Sequence, residues 1–391
     1  MNRSIQTLLY AGGLFALISC RSTPVPDPKD PGLISVFSIT VDTTSNINVS
    51  QLVDSFRPLE LHPPSGEAIG RIARITEAKD HRLYILDGIR NRIEVFTNSG
   101  QFLFTIDKAG IGPGRCRVIS DMEIDPRSQT IGIVDPLQSK FMRLDLNGNL
   151  IGEYSTIGTS GVTKLASLAN GDFAFSRGLP PDRDNLQYSI VITSPDFKIK
   201  KRLLHYDQSS SSVLSAIYPF QNFAGHTYYL PIYSDEIDEI DSSGVRPVFK
   251  LNFGAKWITP DYAYDPSHTD EIRWVRSDLP HSGFVYFVNY AFTQDDLLVY
   301  YSYSGDNYLN VIDRKTGRQG HTRLSNDFRL LGLTAENTNT LGDSSYVTWL
   351  SDLSSIKNLK DRQCIANFQT LTADSSKHNP VLLFTTFKKV P

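Results

Sequence analysis

Turn residues recur along this chain at a fixed interval: Gly100, Gly148, Asp196 and Gly244 stand 48 residues apart in three successive steps. Each sits in the same arrangement, an apolar strand, a short break, a second strand ending in the turn, and a third strand leading away. In the first copy Leu83–Asp87 and Arg92–Phe96 precede the turn and residues 101–106 follow it; in the second, residues 131–135 and 141–145 precede it. Glycine and aspartate suit the position because such a hairpin needs positive φ there. A further apolar stretch precedes each copy, for example at residues 69–75, 120–124 and 162–168, which brings the unit to four strands. A lone four-stranded sheet cannot bury both faces, so units of this kind stack as the blades of a β-propeller.

A fifth turn, Lys315-Thr316-Gly317, arrives 73 residues after Gly244, one period lengthened by 25. The extra length lies near residues 254–281 and is expected to be partly helical around 269–276. A sixth unit is expected from residues 330–333, 345–350 and 381–387, interrupted by a helix within 353–372. It is one strand short. The alternating segment 34–41 is the candidate for the missing strand, since pairing it with the C-terminal blade closes the ring without a long open edge. The expectation is an all-β, six-bladed β-propeller with four antiparallel strands per blade, covering residues 34–391.

Composition narrows the function classes. The 391 residues are 40% hydrophobic and 21% charged, enough for a large packed core. Lys+Arg 39 against Asp+Glu 42 leaves a net charge of −3, without the basic excess a nucleic-acid surface needs. Three cysteines exclude a disulfide scaffold and a four-cysteine zinc site.

Residues 1–19 carry one early charge, Arg3, ahead of an apolar run at 8–18 that is short for a permanent membrane span, and so read as an export signal. Leu17-Ile18-Ser19-Cys20 resembles a bacterial lipobox, which implies that Cys20 is diacylated and becomes the first mature residue. Each buried methylene of such chains contributes about 0.8 kcal/mol to anchoring. Residues 20–33, with four prolines, form the expected tether. Arg21 rather than Asp follows the cysteine, which in this resemblance implies the outer membrane; the periplasmic face is expected.

Over nearly its whole mature length the chain resembles the six-bladed β-propeller lipoproteins of Bacteroides-type bacteria, a family related to NHL-repeat propellers. The residues that carry the resemblance are Leu83-Tyr84-Ile85-Leu86-Asp87 with Val95-Phe96 and Ser99-Gly100-Gln101-Phe102, the loop Gly110-Ile111-Gly112-Pro113-Gly114, and Asn379-Pro380-Val381-Leu382-Leu383-Phe384 with Phe387-Lys388. The family usually places an acid and an aromatic after Gly-Pro-Gly, where this chain has Arg115-Cys116. The resemblance implies a fold and a compartment rather than a reaction.

No nucleophile elbow, zinc-binding H-E-x-x-H or nucleotide P-loop is present. The run 110–114 imitates a phosphate cradle, but Pro113 has no N–H to donate, and a blade-connecting loop is expected. The acids Asp235, Glu236, Asp238, Glu239 and Asp241 alternate across a strand and so cannot converge on one ion. No cofactor is expected; an axial calcium would need carboxylates from several inner strands, and no such set stands out. Cys116 and Cys364 are expected to stay unpaired, with pairing after export left open. Ligand contacts are expected where blade-connecting loops and second-to-third strand loops gather, from Arg90, Arg115, Arg117, Arg177, Arg183 and Tyr218, with an anion or a glycan as occupant. Trp257, Tyr262, Tyr264 and Trp274 form a candidate docking surface. The expected protein is a monomeric, lipid-anchored, non-catalytic binding or scaffolding module with an envelope protein or glycan partner; the alternative is a metal-dependent propeller hydrolase or lyase.

Overall fold

The computed structural model describes residues 34–43, 49–64, 67, 69–156, 162–177, 188–205, 218–231, 234–259, 262, 273–323, 339–341, 345–350 and 380–389. They form six sheets. Blade 1 is Ile72–Glu77, Leu83–Asp87, Arg92–Phe96 and Phe102–Asp107; blade 2 is Asp121–Asp125, Thr130–Asp135, Lys140–Leu144 and Leu150–Ser155. Blade 3 is Val162–Ser167, Phe173–Arg177, Tyr188–Thr193 and Ile199–His205; blade 4 is Phe220–Phe223, His226–Tyr229, Glu236–Ile240 and Val245–Asn252. Blade 5 is Val285–Phe292, Asp296–Tyr303, Asp306–Asp313 and Gln319–Arg323. Blade 6 joins Asn339–Leu341, Ser345–Leu350 and Val381–Phe387 to Val53–Glu60 from the other end of the chain. The first strands of the blades lie side by side in order, the sixth returning to the first, so the molecule is a closed six-bladed propeller with those strands innermost.

Burial follows from the stacking. Leu83–Asp87, Thr130–Asp135 and Phe173–Arg177 are buried at every position, because a middle strand is covered on both faces by neighbouring blades. The core is accordingly divided into inter-blade layers: Tyr84, Leu86 and Ile93 of blade 1 pack on Met122, Ile131 and Ile133 of blade 2, and Phe141 of blade 2 packs on Phe173 and Phe175 of blade 3.

Ring closure differs from the expectation. Residues 34–41 do not join the last blade; Ser35–Ser38 runs parallel to Val245–Asn252 as a fifth strand on blade 4. The reason is its one-sided apolar face: Phe37 and Ile39 are buried in the layer between blades 4 and 5, with Phe37 stacked 5.9 Å from Phe249. The closing strand is Val53–Glu60, antiparallel to Val381–Phe387 from Val53 opposite Phe387 to Glu60 opposite Val381. Its sequence, with Asp54, Arg57 and Pro58, does not read as a strand, yet an outermost position tolerates a proline because one side of the strand needs no ladder bond.

Two smaller corrections concern turns and blade 6. The left-handed residue in the blade 3 hairpin is Phe197, φ 60°, not Asp196, so the turns at Gly100, Gly148 and Gly244 keep their positions while the third shifts by one. Phe197 accepts that conformation while its ring packs 5.1 Å from Phe175 and 5.7 Å from Phe141. The innermost strand of blade 6 is Asn339–Leu341. The expected strand at 330–333 and helix within 353–372 lie outside the described residues, as do Cys20, Arg183, Tyr264 and Cys364.

Candidate functional site

Charged side chains on innermost strands have the axis or a neighbouring blade's inner strand as surroundings, and here blades 1 to 3 supply them. Arg74 of blade 1 donates from Nη2 to Glu123 Oε2 of blade 2 at 2.8 Å, and its Nε lies 3.9 Å from Asp121 Oδ1. Glu123 Oε1 accepts from Asn222 Nδ2 of blade 4 at 3.1 Å. Asp121 Oδ2 accepts the Leu165 N–H of blade 3 at 3.1 Å. These bonds tie blades 1 to 4 together through one network. Burial pushes the Glu123 carboxyl up and the Arg74 guanidinium opposes it; Arg74 is held charged by Asp121 and Glu123, which outweigh its own burial.

Tyr218 lies beside this network. Its hydroxyl donates to the Ala73 carbonyl, a bond between blades 4 and 1, which face each other across a six-membered ring. Arg74 sits 5.4 Å and Lys164 Nζ 5.2 Å from the centre of its ring. The axis is therefore bridged at this level. Towards the other end of the disc, where first strands turn into second strands, a cavity of about 450 Å³ opens. Its wall includes Glu123, Arg127, Ser167, Asn222, His226 and Thr227. Asn222 Oδ1 accepts from Thr227 Oγ1 at 2.8 Å, and Thr227 Oγ1 also contacts the Ser167 carbonyl at 3.2 Å, so the wall is built before any ligand arrives. The geometry is a cup in which these polar groups stand among the apolar Ile124, Pro126, Leu168, Ala169 and Phe223.

The sequence-predicted residues that are described fall elsewhere, Tyr218 excepted. Arg90, Arg115 and Arg117 are exposed on the opposite end of the disc, in loops cross-linked by Asn91 Nδ2 to the Arg117 carbonyl at 3.3 Å and Lys140 Nζ to the Gly112 carbonyl at 2.8 Å. That bonding makes residues 110–114 the connection from blade 1 to blade 2. Ile89, Ile111 and Leu137 protrude from these same loops, 63–79% exposed. Arg177 is buried at the end of its strand. Trp274 is buried with Ile258 and Leu279 in a small cluster against which Trp257 and Tyr262 pack, and Trp257 also stacks 5.5 Å from Phe253.

The acidic run of blade 4 is divided among separate partners. Glu239 meets His226 and Arg246, while Asp235 and Glu236 meet Lys250. Among the described residues no three His, Cys, Asp or Glu side chains are placed to share a metal ion, and the inner-strand acids Asp121 and Glu123 already face Arg74. Cys116 is a buried free thiol, pushed up to about 12 chiefly by its burial.

Arg74, Asp121, Glu123, Lys164 and Asn222 were missed from the sequence. A signal existed: Arg74, Asp121, Glu123 and Lys164 interrupt stretches that otherwise alternate as core strands, and an innermost strand has little solvent to offer a charge.

The family described as domain of unknown function DUF4934 matches residues 34–386. Among solved structures, a Bacteroides fragilis NCTC 9343 protein provisionally named an exported protein is 19% identical, over 91% of this chain and 100% of its own, with a TM-score of 0.76. A DUF4221-family protein from Bacteroides vulgatus ATCC 8482 is 9% identical over 86% and 98%, with a TM-score of 0.56. A virginiamycin B lyase from Staphylococcus aureus is more distant, 14% identical over 70% and 75%, with a TM-score of 0.40. No curated protein matches the sequence.

Proposed function

The chain belongs to the DUF4934 family, and from that membership and the axial cup we propose that it is an exported, lipid-anchored binding module whose small polar ligand enters where first strands turn into second strands. The observation that carries this reading is the cup itself: about 450 Å³ lined by blades 1 to 4, with prearranged amide, hydroxyl and carboxylate groups set among Ile124, Leu168 and Phe223. A volume of that order suits a small molecule or a chain end. The polar groups of the wall suit hydroxyl or amide groups and its apolar residues a carbon face, both of which a glycan or peptide end would offer.

Export is supported by the signal-like residues 1–19 and by the provisional name of the B. fragilis neighbour, and no helix of the described residues is long and apolar enough to cross a membrane. Anchoring through Cys20 to the outer membrane, on its periplasmic face, completes the proposal. Radiolabelled palmitate incorporated by the wild type and lost in Cys20→Ala supports it; equal labelling of both contradicts it. The binding role is tested by melting the chain from residue 34 onward against mono- and oligosaccharides, amino acids and short peptides. A ligand that raises Tm in the wild type and not in Ala169→Trp, which places an indole at the cup mouth, is the expected result. No ligand in the panel acting, or equal shifts in the variant, counts against the cup.

A further inference from the structure

Ile89, Ile111 and Leu137 belong to no core: they stand 69%, 79% and 63% exposed at the end of the disc opposite the cup. Ile89 and Leu137 occupy the same place in adjacent blades, two residues past Asp87 and Asp135, in the turns from second to third strand. Ile111 lies in the connection from blade 1 to blade 2, between Gly110 at φ 132° and Gly112 at φ 111°, a backbone course that a side chain at either glycine would resist. We propose that this end of the disc is a lipid-facing surface, on which the three aliphatic side chains enter the interfacial layer of an anionic bilayer while Arg115 and Arg117 pair with its phosphates.

The three tips share one rigid platform. Asn91 ties the first turn to the connection, donating from Nδ2 to the Arg117 carbonyl at 3.3 Å and accepting the Ile119 N–H at 2.5 Å. Gln138 ties the second turn to it, donating from Nε2 to the Gly110 and Arg115 carbonyls at 3.3 Å. Lys140 Nζ donates to the Gly112 and Arg115 carbonyls at 2.8 and 3.1 Å. Tips held in this way cannot fold back to cover themselves, so their hydrocarbon stays in water until another surface meets it.

Charge and shape select that surface. Among the described residues the guanidinium groups of Arg115 and Arg117 have no hydrogen-bond or ion-pair partner. The carboxylates closest in the bonding are turned inward, Asp135 onto the N–H groups of Arg117, Leu137 and Gln138, and Glu153 onto Lys140 and the Gly114 N–H. The charge offered beside the tips is therefore positive, and a phosphate-bearing surface complements it. The core of a protein interface favours aromatic side chains and pockets that seat them, whereas residues 88–91, 108–118 and 136–139 contain no aromatic residue and present separate aliphatic points. A fluid headgroup layer closes around separate points without a matching shape, and binding then grows with the apolar area buried and with the attraction of basic side chains to anionic lipid. The proposal rests on anchoring at Cys20 only in that residues 20–33, up to about 50 Å long if fully extended, would keep a bilayer within reach.

The test is flotation of the chain from residue 34 onward, which contains the whole closed ring and lacks Cys20, with vesicles of phosphatidylethanolamine and phosphatidylglycerol, and with vesicles in which phosphatidylcholine replaces the phosphatidylglycerol. Because no acyl chain takes part, failure of the anchor and failure of this surface are separable. The wild type is expected to float with the anionic vesicles and about tenfold less with the neutral ones. Combining Ile89→Ser, Ile111→Ser and Leu137→Ser lowers binding to anionic vesicles by about tenfold or more, and combining Arg115→Gln with Arg117→Gln lowers it to the level of neutral vesicles. Leu103→Ser, at an exposed position of the outer strand Phe102–Asp107, leaves binding unchanged. These side chains are largely in water, so each variant keeps the wild-type Tm. No flotation of the wild type, equal flotation with both vesicle types, or a triple variant that binds as the wild type overturns the proposal, as does this end of the disc capturing an envelope protein while ignoring vesicles.

Discussion

Asp87 and Asp135 end the second strands of blades 1 and 2, one period apart, and both are fully buried. Asp87 accepts backbone N–H groups from Gly70, Arg71, Ile89 and Arg90; Asp135 accepts those of Arg117, Leu137 and Gln138. Each carboxylate thus staples the entry of the innermost strand to the next loop of its own blade. Replacing Asp135 by Ala strands three part-buried donors and is expected to cost roughly 2 kcal/mol in denaturant unfolding; a loss below about 0.5 kcal/mol would contradict the staple. Asp238 in blade 4 behaves in the opposite way. Burial, and then Glu236, push its carboxyl up to about 7 from 3.8. Its contribution to stability is fully present below the unfolded pKa and is lost as pH rises through about 7. Asp238→Asn is therefore expected to match the wild type near pH 4 and exceed it at pH 8 by roughly 2–4 kcal/mol. Melting curves across that range check this, and a gap that widens towards low pH would contradict it.

The two N-terminal strands have different structural roles, and truncation separates them. Removing residues 34–43 takes Phe37 and Ile39 out of one apolar layer and is expected to cost roughly 3 kcal/mol while the ring stays closed. Removing residues through Glu60 takes away the closing strand, exposes the Val381–Phe387 edge and is expected to abolish cooperative unfolding. Gly100 belongs to the same closure: at φ 83° and with the Glu60 carbonyl 2.0 Å from where a Cβ would sit, it admits no side chain. How far such elements were legible depends on what each displays. The blades were readable because Gly100, Gly148 and Gly244 mark turns at multiples of one 48-residue period, and the flanking strands are apolar enough to show themselves. The closing strand was hidden because an outer edge permits Asp54, Arg57 and Pro58. Segment 34–41 took its place in the sequence reading because alternation records that one face is buried, not which blade buries it. The cup was hidden for a related reason: Glu123 and Asn222 are 99 residues apart, and only ring closure brings them within hydrogen-bonding distance.

On the scale of the whole molecule, the polar interior of the ring can be read as structure, as a binding site, or as a metal centre. Arg74 occupies Asp121 and Glu123, so addition of calcium or of a chelator is expected to leave Tm unchanged; a chelator-sensitive Tm would move the protein towards metal chemistry. What the cup offers is a rigid wall already hydrogen-bonded across blades, which lowers the ordering cost of binding a small polar molecule. The most direct test incubates the wild-type chain and Ala169→Trp with small molecules and oligosaccharides extracted from the cell envelope, and compares retained masses by native mass spectrometry. One mass held by the wild type and absent from the variant is predicted; no retained mass, or the same mass on both proteins, would contradict the axial cup as the binding site.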